Sequence, residues 1–385
     1  MMALHFTNNA LYPLYVRAEG GGVTVVGLFM GVYALAAVAG RPVVGWLIDR
    51  SGPVAVLVAG SLCISLPAFG YAALQGSGLN ALVWMIRAVQ GFGYGAHFSA
   101  AFTLAARIAP AHRRNEAIAM YGISGLAGAS VGPSIGETII RTFGLSTFFV
   151  SMGCLGGVAI LLISRLRFRH SDTAGPTVRA IISAFRTPRI AFAALLAFLL
   201  ALCSSAPQSF LAVVAGARGI EGFSLYFTAW GIGGVLVRIV GGRWGDRVGV
   251  RHVLVPAYFL YGAGLAILSA ADHVIWVVAA GLLSGTAHGL AFPAVTTFGY
   301  LLVPQEISGS AVALITGMMD TGAAFMSMGV GAMAGAFHHD IVFPIASAAA
   351  CTAAVLVAVD IRRHPGALFP SRESITLLSQ LKRAR

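Results

Sequence analysis

Asp320 lies deep inside an apolar run spanning 311 to 337, with Thr316, Ala324 and Ser327 on its helical face. A carboxylate that deep in apolar surroundings is either protonated or paired with a cation. Its natural chemistry is to carry a proton, taking it up when it faces one side and releasing it when it faces the other. The plainer alternative is a structural acid, paired with Arg87 or capping a neighbouring helix. Arg87 begins a second constellation with Gln90, Tyr94 and His97. At about 100° per residue these four share one helical stripe about 80° wide. A polar stripe on an apolar helix lines a watered cavity, and an arginine there costs about 2.5–3.5 kcal/mol unless it faces such a cavity or a partner. An arginine near the outer end of its helix can instead snorkel to the interface. Glu137, on one face with Ser130, Ser134 and Arg141, is a third candidate, either a titratable acid at the outer mouth or an i,i+4 partner of Arg141. His97 and His288 could titrate near neutral pH, though lone histidines in such helices more often make packing hydrogen bonds.

The elements that carry these residues are long and apolar. The 385 residues are 58% hydrophobic and only 10% charged, against roughly 25% charged in a soluble domain. The apolar residues come in blocks of the ~20-residue length that crosses a bilayer. Predicted helices fall at 1–16, 23–44, 54–74, 81–108, 117–140, 145–164, 190–214, 223–240, 253–270, 274–303, 311–337 and 341–359. The fold class is therefore all-α and polytopic. With both ends cytoplasmic, the inner loops and tail hold 18 Lys/Arg and the outer loops only Arg17, Arg141 and Arg218. This bias sets the orientation in a cell inner (plasma) membrane and accounts for the net charge of +12 without nucleic acid. Cys63, Cys154, Cys203 and Cys351 fall in separate blocks and read as small buried side chains. Trp84, Trp230 and Trp276 read as interface anchors, and the basic tail meets anionic lipid. His338, His339 and Asp340 read as a loop and not as a metal site.

The chain repeats itself. RPVVGWLIDRSG at 41–52 matches RIVGGRWGDRVG at 238–249, an offset of 197. At an offset of 194, Gly91, Gly95, Phe98, Thr103 and Pro110 match Gly285, Gly289, Phe292, Thr297 and Pro304. Two parallel six-helix copies follow, a plan used by secondary transporters with a site between the halves. The expected divisions are an N-terminal half at 1–164, a basic linker at 165–189, a C-terminal half at 190–359 and a tail at 360–385. Aligning Asn8-Asn9 with Ser204-Ser205 places Met1 near Ala197, so the first helix is expected to be incomplete.

The paired loop motifs, with Arg41, Gly45, Asp49, Arg50 and Gly52 in one copy and Arg238, Gly242, Asp246, Arg247 and Gly249 in the other, resemble the inner-loop signature of the major facilitator superfamily. The first copy departs from the family at Pro53 and Val54, where basic residues are usual. Arg87-Ala-Val-Gln90-Gly91 resembles the family's helix-4 signature. Gly128, Gly132, Pro133 and Gly136 resemble its helix-5 antiporter signature, with Glu137 in place of the final glycine. The resemblance implies two halves rocking about a central cavity, gated by the loop motifs, and a twelve-helix drug:proton antiporter group as the nearest kind. It implies proton coupling through Asp320, Arg87 and Glu137. Substrate contacts would come from Asn8, Asn9, Gln90, Tyr94, His97, Ser204, Ser205, Gln208, Thr316 and Ser327. Gly128, Gly132, Pro133 and Gly136 would serve close helix packing. The expected function is efflux of a small organic solute by a monomer that exchanges it for protons, with import by symport or facilitation as the alternative. The few fixed charges on the cavity helices disfavour a highly charged phosphorylated solute and allow a neutral, amphipathic or monocationic one. No phosphate-binding loop, nucleophile elbow or metal-ligand pair points to an enzyme, a cofactor or a metal.

Overall fold

The computed structural model describes residues 1–108, 114–166, 188–241, 244, 248–302 and 308–364. Among them the chain forms twelve long helices, one 3-10 turn at His339–Ile341 where a loop was expected, and no strand. They are α1 (Met2–Ala18), α2 (Val23–Ser51), α3 (Pro53–Ala73) and α4 (Ala81–Ile108). The stretch Arg114–Ser164 is broken at Gly144, with φ 86°, into α5 (114–143) and α6 (145–164). The second set is α7 (Pro188–Ala217), α8 (Leu225–Gly241), α9 (Val250–Ser269) and α10 (Val274–Leu301). It ends with α11 (Ser308–Phe325), prolonged by a π turn at Met326–Val330 and a last piece at Gly331–Ala336, and with α12 (Val342–Arg363). The predicted linker and tail lie almost wholly outside the described residues, as do Pro110 and Pro304.

Helix ends follow local chemistry. Asn80 caps α4, its side-chain oxygen accepting from Leu82 N at 3.1 Å and Val83 N at 3.2 Å. Glu19 accepts from Gly76 N and Gly78 N at 2.7 and 2.8 Å and ties two connections together. α2 runs seven residues beyond its predicted end. Asp49 and Arg50 end the apolar window at the membrane boundary, but nothing stops the hydrogen-bond ladder until Gly52 turns the chain at φ 81°. Gly45, Asp49 and Arg50 are thus on the last turns of α2 and not in a loop. Pro53 then opens α3 at its first position. Gly249, the repeat counterpart of Gly52, has φ 87° and precedes α9 in the same way.

The repeat is a packing repeat. In the first set α2 packs on α4, α3 on α4 and α6, and α1 on α5. In the second, α8 packs on α10, α9 on α10 and α12, and α7 on α11. The glycines explain the match. A Cβ on Gly91 would meet the backbone of Tyr33, and one on Gly285 would meet the backbone of Trp230, which is residue 33 plus the offset of 197. Large apolar side chains such as Leu66, Met85, Leu162, Phe259 and Val355 point outward, a surface suited to lipid. Among the described residues seven helical segments qualify as spans by length and apolarity, with α5 and α6 counted as one. α1 and α8 have 17 residues each, and α4 carries the Arg87 stripe. All four cysteines are free, and Cys154 and Cys351 face outward, contrary to the expected burial.

Candidate functional site

The two halves meet along α2–α11, α5–α8 and α1–α7. At the end opposite the linker they are in close contact. Gly27 lies against the backbone of Ser327 and Gly331, and Gly335 against Thr24. Ser134 and Thr228 hydroxyls bond at 2.8 Å. Towards the linker end the halves part around a cavity of about 200 Å³, room for a small organic solute with water. Its lining runs from Asn9, Tyr33 and Ser327 down to Phe102, Gly122 and Arg238.

Asp320 lines the cavity, but its partner is Arg41 and not Arg87. Arg41 Nε donates to Asp320 Oδ2 at 2.8 Å, and the terminal Nη2 donates to the same oxygen. Nη1 donates to Thr316 Oγ1 at 3.1 Å. Arg41, expected in a gating loop, is therefore a cavity residue whose ion pair joins α2 of one half to α11 of the other. Arg41 opens the motif while still inside the apolar part of α2. Among the described residues Asp320 is the only carboxylate of the lining.

Arg87 is fully buried beside the cavity and does not line it. Its Nε donates to the Phe29 carbonyl at 3.2 Å, Nη1 to Gln90 Oε1 at 2.9 Å and Nη2 to Asn9 Oδ1 at 3.3 Å. The guanidinium also packs against the rings of Tyr12, Phe29 and Tyr33, at 4.4–4.8 Å from their centroids. The snorkelling alternative is thereby excluded. Gln90 is spent on Arg87 and on Tyr12 Oη at 2.8 Å, so it faces no solute. His97 is likewise held away from the cavity by Ser61 Oγ at 3.0 Å. Asn8 is buried off the lining too.

Of the expected contacts, Asn9, Tyr94, Ser204, Ser205, Gln208, Thr316 and Ser327 do line the cavity. Ser327 bonds Ser209 across α7 and α11 at 2.9 Å. Residues missed in the sequence include His5, whose ring stacks on Tyr94 at 3.8 Å and whose Nδ1 meets Tyr33 Oη at 2.7 Å. Its i,i+4 spacing to Asn9 was the available signal. Trp230, read as an interface anchor, is buried in the cavity wall against Phe6 and His288. Trp276 is exposed, as an anchor would be.

Glu137 does not pair with Arg141, which instead donates to Glu221 at 2.7 Å. Glu137 is buried and accepts from Gly222 N at 3.2 Å and Ser224 N at 3.0 Å, where the free backbone donors before α8 converge. It belongs to the closed end. Asp320, Arg87 and Glu137 thus occupy three separate environments. Gly128, Gly132 and Gly136 face Ala3, Thr7 and Leu11 of α1, with Pro133 buried among them. Arg50 stacks on Trp46 at 5.3 Å. Gly242, Asp246 and Arg247 lie outside the described residues, whereas Arg238 reaches the cavity. At His338, His339 and Asp340 the candidate ligand atoms lie within 4.8 Å, and Arg218 donates to Asp340 at 2.7 Å.

A family model described as Major Facilitator Superfamily matches residues 1–326 and 193–385. A staphylopine export protein of Staphylococcus aureus is 22% identical over 344 residues, 83% of this chain and 84% of that protein. An uncharacterized MFS-type transporter of Burkholderia mallei is 26% identical over 378 residues, 92% of this chain and 88% of its own. Among solved structures, a nucleoside transporter has a TM-score of 0.75 at 13% identity, covering 93% of this chain and 96% of its own. A POT family transporter in complex with a thioalcohol-conjugated peptide has a TM-score of 0.77 at 12% identity, covering 94% of each chain.

Proposed function

The chain belongs to the major facilitator superfamily, so it is a membrane transporter of small molecules and not an enzyme, and on that premise we propose that it is a proton-coupled exporter working by alternating access. The observation that carries this reading is the Arg41–Asp320 pair. It joins the two halves through the only carboxylate that the described residues place in the cavity. A proton arriving at Asp320 removes the charge that holds α2 to α11, and losing that proton restores the tie. Proton occupancy and the relative position of the halves are then linked. Arg87 is the fixed neutral-lined cation beside this switch, and Glu137 is a latch at the far end and not a carrier.

The basic linker and tail assign the linker end to the cytoplasm of an inner membrane, with the N-terminal half at 1–164, the linker at 165–189, the C-terminal half at 190–359 and the tail at 360–385. The cavity is then loaded from inside, the direction export requires. The export protein among the relatives supports the same direction. One proton crossing 100 mV supplies about 2.3 kcal/mol, roughly a fifty-fold solute gradient. The Gly128–Gly136 face packs α5 on α1, and the paired motifs from Arg41 and Arg238 onward act at the inner ends of their helices. The protein works as a monomer in lipid, without a cofactor or nucleic acid.

The test is flux in reconstituted vesicles, wild type beside Asp320→Asn, across a solute panel with and without an imposed pH gradient. Uphill flux driven by the gradient, lost in D320N while downhill exchange persists, is the expected result. Flux indifferent to the gradient in both proteins would make this a facilitator, with a structural role for Asp320.

A further inference from the structure

Among the described residues four charged side chains lie in or against the cavity, namely Arg41, Arg87, Arg238 and Asp320. Three are cations and one is an anion, and Asp320 is already paired with Arg41. Arg87 is satisfied by neutral acceptors and aromatic rings. Arg238 is in a different position. It lines the cavity, and its single acceptor is the Gly289 carbonyl, 3.4 Å from Nε. Neither Nη group has a partner among the described residues. Beside it His288 also lines the cavity, with a buried Nδ1 that has no hydrogen-bond partner. The imidazole lies 4.8 Å from the Trp230 ring and 5.7 Å from Phe292.

The repeat shows what is unusual about this arginine. Arg238 is Arg41 plus the offset of 197. Arg41 crosses to α11 of the opposite half and meets Asp320 there. Arg238 likewise crosses to α5, the counterpart of α11, but meets Gly122. A Cβ on Gly122 would stand 3.3 Å from Arg238 Nη1. One copy of the device carries its own carboxylate and, among the described residues, the other does not. A guanidinium in a membrane-embedded cavity without a counter-charge attracts an anion, and its planar fork matches a carboxylate with two parallel hydrogen bonds.

We propose that Arg238, with His288 beside it and Trp230 and Phe292 as an aromatic wall, anchors the acidic group of the transported solute, so that the cargo is an organic carboxylate with an apolar or aromatic body. This rests on the transporter reading and departs from the neutral, amphipathic or monocationic solute that the composition allowed. The bound carboxylate completes at Arg238 the pair that Asp320 completes at Arg41.

The experiment is ligand binding to the purified full chain in a neutral maltoside detergent at low chloride, read as a shift in thermal unfolding. The probes are phenylacetate and indole-3-acetate, their amides, phenethylamine, and sodium chloride alone. Each carboxylate is expected to stabilise more than its amide and more than the amine. Arg238→Gln is expected to weaken the carboxylates at least ten-fold, and Arg238→Lys to weaken them less. Gly122→Asp, which places a carboxylate against Arg238 Nη1, is expected to weaken them as Arg238→Gln does without lowering the ligand-free midpoint. Should Arg238→Gln fail to fold, Gly122→Asp decides. Equal shifts from acids and amides overturn the proposal, as does a full shift from chloride alone or carboxylate binding unchanged in the variants. Because the readout needs no gradient, the two readings fail separately. Carboxylates bound through Arg238 but indifferent to a pH gradient would end the proton-coupled reading alone. Gradient-driven flux of a neutral or cationic solute, unchanged in Arg238→Gln, would end the anchor alone.

Discussion

At the residue scale, an arginine's surroundings decide its work. Arg87, Arg41 and Arg238 all lie in apolar helices, yet one is enclosed by rings, one is paired and one is open to the cavity. For Arg87 the planar guanidinium is what the site uses. A lysine offers neither the fork nor the stacking face, so Arg87→Lys should destabilise by about 2 kcal/mol or more. A detergent melting midpoint equal to wild type would refute that. For Arg41 the prediction concerns coupling. If it acts through Asp320, then Arg41→Gln loses gradient-driven flux, and the double variant with Asp320→Asn is no worse than Asp320→Asn alone. Additive losses in vesicle flux would mean the two act separately. The candidates were legible as polar residues in apolar runs. Their pairing was not, because Arg41 and Asp320 are 279 residues apart and only the folded bundle brings them together.

At the element scale, the twelve helices were legible because membrane spans must be long and apolar, and the repeat was legible because glycines recur where helices touch. Helix ends were read less well. Polarity stops at the membrane boundary while the hydrogen-bond ladder continues, as in α2 through Asp49 to Ser51. The break at Gly144 agrees with the expected division at 145, and φ 86° there explains why a glycine makes it. Glycine positions differ in what they tolerate. Gly91→Ala and Gly285→Ala put a methyl group into a facing backbone and should each cost about 1–3 kcal/mol. Gly45→Ala meets nothing within 4 Å and gains helix propensity, so it should be neutral or stabilising. Size-exclusion profiles of the detergent-solubilised variants across a heating series would separate the two classes. Identical profiles for all three would show that these close approaches carry no stability.

At the scale of the whole molecule, the closed end depends on few polar contacts. The Glu137 carboxylate accepts two backbone N–H groups from the other half, bonds worth roughly 1.5–3 kcal/mol each when one partner is charged. Glu137→Gln keeps the shape and removes the charge, so the population should move towards opening at that end. Spin labels on Thr138 and Leu225, exposed positions on the two sides of the seam, should report a longer distance. An unchanged distance distribution would deny the latch. A cavity between the halves was legible from the repeat, but this seam and the lining of the cavity were not, since both are made by contacts between the copies.

The π turn at Met326–Val330 gives α11 a surplus residue between Asp320 and the glycines that press on α2. It sets the rotational phase of one part of the helix against the other. Winding this turn into regular α-helix with every residue kept would turn Gly331 and Gly335 about 100° away from α2 while leaving the ion pair in register, whereas deleting Gly329 as well would bring them back to face α2. The far end of α11 is thus seated on α2 through a turn that the segment holding Asp320 does not share.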